Sequence, residues 1–129
     1  MIRSKEAHDD KDSLQTVIDG KRPLGYISII NRRFYFPNGN EFTITSGIDE
    51  DYFWNKVKEN NLKTIKVKDG TYIFYRESAQ NDAKELLEIA QTYGGYLHYD
   101  ATESDTRRIG ELLSYDTDDI NEFIMNKKN

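Results

Sequence analysis

LGYISIINRRFYFPNGNEFTIT, residues 24–45, is the stretch whose reading decides the fold. Ile27 and Ile29 alternate with Tyr26 and Ser28, Phe34 and Phe36 flank Tyr35, and Phe42 and Ile44 flank Thr43. A period of two is the mark of strands with one buried face. Asn31-Arg32 can close a first hairpin and Pro37-Asn38-Gly39-Asn40 a second, Asn-Gly being suited to the positive φ of a tight turn. The segment is therefore expected to form a three-strand antiparallel meander.

Outward from it, Thr64–Lys68 and Thr71–Arg76 read as a second hairpin across Asp69-Gly70. Together these give an α+β fold: a mainly antiparallel sheet of about five strands, with helices packed on one face and a C-terminal helical hairpin. Five stretches read as helix. Ser13 can cap a short one over SLQTVIDG that ends at Gly20, and Asp49–Asn60 follows with an acidic first turn suited to the helix dipole. Ser78 can cap a longer one to Tyr93, with Ala83, Leu86, Leu87 and Ala90 on one stripe and Gly94-Gly95 as its stop. Thr102-Glu103-Ser104-Asp105 is a capping box in its Asp form that opens the fourth, and Asp116 or Thr117 caps the fifth. Tyr96-Leu97-His98 is an apolar connector, a candidate sixth strand.

At 129 residues the chain fits one domain, 1–129, with 1–12 frayed, 13–77 mainly sheet and 78–129 mainly helical. It has no cysteine, which removes thiolate metal sites and cysteine nucleophiles. The charged start, MIRSKEAHDDKDS, is neither a signal peptide nor an anchor, and no apolar run approaches the ~20 residues of a membrane span. A cytoplasmic protein that binds no membrane is expected. The net charge is −5, yet no acidic residue stands between Gly20 and Asn40, where Lys21, Arg22, Arg32 and Arg33 fall. The predicted sheet is basic and the predicted helices acidic.

Motifs for chemistry are absent from the sequence. The histidines, His8 and His98, have no second ligand or paired carboxylate at a spacing that metal binding or general base catalysis uses. Gly94-Gly95 lacks the GxGxxG or GxxxxGK spacing of a phosphate loop and is better read as a helix stop. No serine sits in a GxSxG elbow. Asp116, Asp118, Asp119 and Glu122 lack the central glycine and ligand spacing of an EF-hand, and suit a solvated first helical turn instead. No cofactor, no metal and no catalytic residue is assigned, and the chain is expected to be non-enzymatic.

Two surfaces remain as candidates. The last two helices resemble a helix-turn-helix in outline, but the helix that would enter the groove begins with Asp116, Asp118 and Asp119, which repel phosphate. An acidic, aliphatic hairpin suits a protein partner, with Tyr115, Asp116, Asp118, Asp119, Glu122 and Phe123 as the contact set and the two aromatics as anchors. The other candidate is the outward face of the sheet, where Tyr26, Arg33, Tyr35, Lys66 and Lys68 would bind single-stranded nucleic acid by stacking and phosphate contacts. Tyr, Thr and Lys also suit any solvated antiparallel face, and the overall negative charge opposes nucleic acid. In composition, short, acidic, free of Cys and rich in Asn, Lys, Ile, Asp and Tyr, the chain resembles the small accessory proteins of bacteriophages and AT-rich bacterial genomes. That resemblance implies a modulator that binds a host complex, such as transcription, nuclease or defence machinery.

Overall fold

The computed structural model describes residues 10–29, 31–45, 48–95 and 101–128. His8, His98, the Tyr96-Leu97-His98 connector and the Ser46-Gly47 loop lie outside the described residues. In chain order the elements are α1 (Asp10–Ile18), β1 (Leu24–Ser28), β2 (Asn31–Tyr35), β3 (Glu41–Thr45), α2 (Glu50–Glu59), β4 (Lys63–Lys68), β5 (Thr71–Tyr75), α3 (Gln80–Thr92), α4 (Glu103–Leu112) and α5 (Thr117–Lys128). A single 3-10 turn, Glu77–Ala79, leads into α3. The fold is α+β.

Among the described residues the central sheet has three antiparallel strands in the order β1-β5-β4, while β2 and β3 pair with each other as a two-stranded ribbon. This corrects both the five-stranded sheet and the three-strand meander. β1 does not fold back on β2. It runs beside β5, with Leu24 opposite Tyr75 and Ser28 opposite Thr71, and the Ile29 amide donates to the Gly70 carbonyl at 2.6 Å. Asn31 and Arg32, expected to turn the chain, are instead the first residues of β2 and lack positive φ. The physical reason lies in β5. Its sequence TYIFY is apolar or aromatic at four successive positions, a run that calls for cover on both faces, and β5 takes the centre of the sheet with a cluster of helix residues over each face.

Register divides the side chains. Leu24 and Tyr26 of β1, Ile73 and Tyr75 of β5 and Ile65 of β4 share one face, where Ala83 and Leu86 of α3 and Leu112 and Leu113 at the end of α4 pack over them. Ile27 of β1 with Tyr72 and Phe74 of β5 point the other way, against Leu14 and Val17 of α1 and Phe53 and Val57 of α2. Helices therefore cover both faces, not one as the alternation of β4 alone implies. Phe74 is fully buried, meets Phe53 edge to face at 5.8 Å between ring centres, and lies across Gly25, where a Cβ would overlap its ring.

Among the described residues β1 and β4 are the outer strands of the sheet. β4 presents Lys63, Lys66 and Lys68 and is irregular between Lys66 and Lys68, both features that oppose pairing with another chain. β1 is only five residues long and follows Pro23.

Four helices end alike. In α1 the Lys21 amide reaches the Thr16 carbonyl and the Gly20 amide the Val17 carbonyl, the paired bonds of a Schellman motif. The same pair forms after α2 through Asn61 and Leu62, after α3 through Gly94 and Gly95, and after α4 through Ser114 and Tyr115. The left-handed residue is glycine in the first and third, but Asn61 (φ 55°) and Ser114 (φ 62°) in the others. Helix starts differ more from expectation. Ser13 does not cap α1, which begins three residues earlier, and Ser78 lies in the 3-10 turn rather than capping α3. Asp49 and Thr102 do cap, accepting from the amides of Tyr52 and Asp105.

Candidate functional site

The C-terminal hairpin is held close by what α4 lacks. At Gly110 a Cβ would come within 2.7 Å of Ile120 Cγ1, so only glycine lets α5 approach this near. Ile120 and Ile124 are buried in that seam. Arg107 Nη1 donates to Asn121 Oδ1 at 2.9 Å across it, and Arg108 joins α4 to Glu85 of α3 through two bonds of 2.5 and 2.8 Å. Beside Arg108 the Glu85 carboxyl is held below the usual carboxylate range, chiefly by the hydrogen bond.

With Ile120 and Ile124 inside, α5 turns its other apolar residues outward at Phe123 and Met125. Phe123 is 48 % exposed and Met125 61 %, and Asp118 and Glu122 are exposed close by in the helix. Asp116 and Asp119 are half-buried. The Asp116 carbonyl accepts from the Ile120 amide and so starts α5. Asp116, Asp118 and Asp119 thus stand at the helix start, where the dipole favours them, and Glu122 follows one turn on.

Tyr115 does not belong to this surface. It is half-buried against the α3–α4 core, next to Arg22. Arg22 is itself buried, although the sequence reading counted it in the positive charge of the segment from Gly20 to Asn40. Its Nε donates to Thr16 Oγ1 at 2.8 Å, Nη2 to Ser13 Oγ at 2.5 Å and to the Ser13 carbonyl, and Nη1 to the Leu113 carbonyl at 3.4 Å. Burial lowers its pKa from the ordinary arginine value, and Tyr115 acts in the opposite direction through charge and a hydrogen bond. The signal was legible in principle: an arginine immediately before Pro23 and a strand, two residues after the helix stop at Gly20, is placed to reach back to that helix.

The five residues proposed for nucleic acid do not gather on one face. The hydroxyl of Tyr26 donates to the Gly95 carbonyl at 2.7 Å, under the end of α3. Lys66 stands opposite Tyr72 on the other side of the sheet and pairs with Asp69 at 2.8 Å, while the stem of Lys68 lies against Gly95. Arg33 and Tyr35 sit on the separate ribbon, where Arg33 is opposite Thr43. Tyr35 is 68 % exposed and Phe36, expected to point inward, is 51 % exposed. Arg76 likewise turns inward, donating to the carbonyls of Val17 and Ile18 at the end of α1.

Among the described residues no group of three or more His, Cys, Asp or Glu is placed to hold a metal ion, and no helix is long and apolar enough to cross a membrane. Comparison with protein-family models, with curated proteins and with solved structures finds no match to this chain.

Proposed function

We propose that the protein is a non-enzymatic accessory or modulator that binds another protein through the outer face of α5. The observation that supports this is Phe123, half exposed on a helix whose neighbouring apolar residues Ile120 and Ile124 are buried, and bordered by the exposed carboxylates of Asp118 and Glu122. Aromatic side chains dominate interface energetics because one ring buries a large area at little entropic cost, and a charged rim sets partner choice and association rate. Tyr115 drops out of the contact set, since it is engaged within the fold. Asp116 and Asp119 contribute field rather than contact. By composition, the partner belongs to a host complex of the transcription, nuclease or defence kind.

Substitution is a better test than truncation, because removing α5 would uncover the apolar seam around Ile120. Phe123→Ser combined with Asp118→Asn and Glu122→Gln should leave the circular dichroism unchanged and remove the specific proteins recovered from a lysate by the tagged wild-type chain. Recovery of the same proteins in the same yield by the folded variant would refute the reading.

A further inference from the structure

The tip of the β2–β3 ribbon sets reactive groups side by side. The Phe36 amide donates to the Asn40 carbonyl at 2.7 Å and the Gly39 amide to the Phe36 carbonyl at 3.0 Å, closing a three-residue loop of Pro37, Asn38 and Gly39. Gly39 takes the left-handed position (φ 89°). The Asn40 amide donates to Asn38 Oδ1 at 3.0 Å, an Asx turn that folds the side-chain amide of Asn38 along the backbone of Gly39. Every residue from Tyr35 to Glu41 is exposed, so water reaches the turn.

An asparagine side chain in this setting is an electrophile next to a nucleophile. The main-chain nitrogen of the following residue can attack Cγ, and the approach is least crowded when that residue is glycine, which has no Cβ. The space is open here: among the described residues, and beyond the two chain neighbours, nothing lies within 4 Å of where a Cβ of Gly39 would stand. The Asn40 N–H that bonds Oδ1 polarises the side-chain carbonyl and is placed to hold the charge that develops on its oxygen during attack. The restraint is the bond from the Gly39 amide to Phe36, and it belongs to a two-stranded ribbon, a unit of marginal stability that opens locally at little cost.

The rest of the chain offers no equal. Asn38 is the one asparagine that the sequence follows with glycine. Asn55, Asn121 and Asn126 stand inside helices, where the amide that follows is tied to a carbonyl one turn back. Asp69-Gly70 is the nearest analogue, since an aspartate can close the same ring. Its carboxyl bonds to Lys66 Nζ at 2.8 Å, and that hydrogen bond holds it below the ordinary carboxylate range, in the ionised form that is a poor electrophile. Gly70 is also fixed from the other side, accepting from the Ile29 amide at 2.6 Å.

We infer that Asn38 is a self-modification site, at which the folded chain turns an amide into an acid without an enzyme. The Gly39 nitrogen gives its proton to solvent and bonds to Asn38 Cγ. The Cγ–Nδ2 bond then breaks, and the side-chain nitrogen takes a proton from solvent and leaves as ammonia. A cyclic succinimide remains, and water opens it at either carbonyl. Attack at Cγ restores the main chain with an aspartate at position 38, whereas attack at the main-chain carbon leaves the chain running through the side chain as isoaspartate. Water is consumed and ammonia released, with no change of oxidation state. Either product puts a carboxylate into a segment, Gly20 to Asn40, that has none. Ammonia is lost to solvent, so the change runs one way and accumulates with the age of the molecule.

The test is to hold the full chain in heavy-oxygen water at mildly alkaline pH, digest samples taken over time, and separate the peptides for mass spectrometry. The peptide that spans Asn38 should give way to two oxygen-labelled products of equal mass, the aspartyl and isoaspartyl forms, while Asn40 in the same peptide and the helical asparagines stay as amides. Asn38→Gln, whose longer side chain closes a ring poorly, and Gly39→Ala, whose methyl crowds the attacking nitrogen, should each slow product formation about tenfold or more. Both positions are exposed, and circular dichroism verifies that each variant is folded. An amide at position 38 that lasts as long as that of Asn40 overturns the inference, as does either variant reacting as fast as wild type. Product that forms only after denaturant is added overturns it too, because the folded tip would then be closed to the reaction.

Discussion

The central sheet and the β2–β3 ribbon are made of strands of nearly equal length, five or six residues each, and both use turns with a left-handed glycine, Gly70 in one and Gly39 in the other. Their surroundings differ completely. β5 has a strand on each side and helices over both faces, so Ile73 and Phe74 are wholly buried, while among the described residues β2 and β3 pair with each other alone and end in the exposed Tyr35 and Phe36. An isolated two-stranded ribbon is marginal in water. The difference teaches that turn chemistry decides where a chain reverses, but the number of faces a strand must bury decides which partner it takes.

The sharpest way to break that comparison is a matched pair of aromatic deletions. Phe74→Ala empties the centre of the sandwich and should cost about 3–5 kcal/mol in denaturant unfolding, whereas Tyr35→Ala should stay within about 0.5 kcal/mol. Equal losses would mean that the ribbon carries as much of the fold as the sheet.

A smaller effect is expected from adding an atom where the two faces meet. Gly25→Ala places a methyl against the Phe74 ring and 3.0 Å from Arg22 Nη2, and overpacking of this kind costs about 1–3 kcal/mol. With Phe74→Leu in the background much of that loss should vanish. A strictly additive double variant would show that the contact between β1 and β5 is not the cause.

The covering layer can be sharpened rather than broken. Ser114 holds a left-handed conformation that disfavours any side chain with a Cβ, so Ser114→Gly should raise stability by up to about 1 kcal/mol after the extra backbone entropy of glycine is subtracted. Calorimetry that shows a lowered midpoint would mean that the serine hydroxyl does more than the backbone geometry suggests.

The smallest effect concerns the Arg108–Glu85 tie between α4 and α3. Because the folded-state pKa of Glu85 is depressed, its contribution is complete above the ordinary glutamate range and is lost as pH falls through the folded value. Both side chains are more than a third exposed, so solvent screening limits it to about 0.5 kcal/mol. Wild type should exceed Glu85→Gln by that margin at neutral pH and lose the advantage under acid; an unchanged margin at low pH would rule the ion pair out as its source.

Much of this was legible in the sequence, for local reasons. Asn38-Gly39 and Asp69-Gly70 specify turns, Asp49 and Thr102 specify helix starts, and the aliphatic stripes of α3 and α4 follow from helical spacing. What escaped was set by partners remote in sequence. β4 alternates as if one face were wet, and that reading was extended to the whole sheet, although the unbroken TYIFY of β5 carried the opposite message. Charge misled in the same way. Arg22 and Arg76 count as basic in a tally by segment, but both turn inward to helix carbonyls, which removes them from the surface field. On the C-terminal hairpin Asp118 and Glu122 are exposed but Asp116 and Asp119 are half-buried, and Tyr115 could not be separated from Phe123 as an anchor until the position of Arg22 was known.

Those two arginines also bear on the order in which the molecule comes into being. The carbonyls near the end of α1 are bonded by Arg22 and by Arg76, 59 residues beyond Val17, and Arg22 in turn spans 91 residues to Leu113. During synthesis α1 emerges before β5 and α4, so its bonds from Arg76 must wait until β5 has left the ribosome, and the bond from Arg22 to Leu113 until the end of α4 has. α1, made before the other described elements, is therefore among the last of them to be finished.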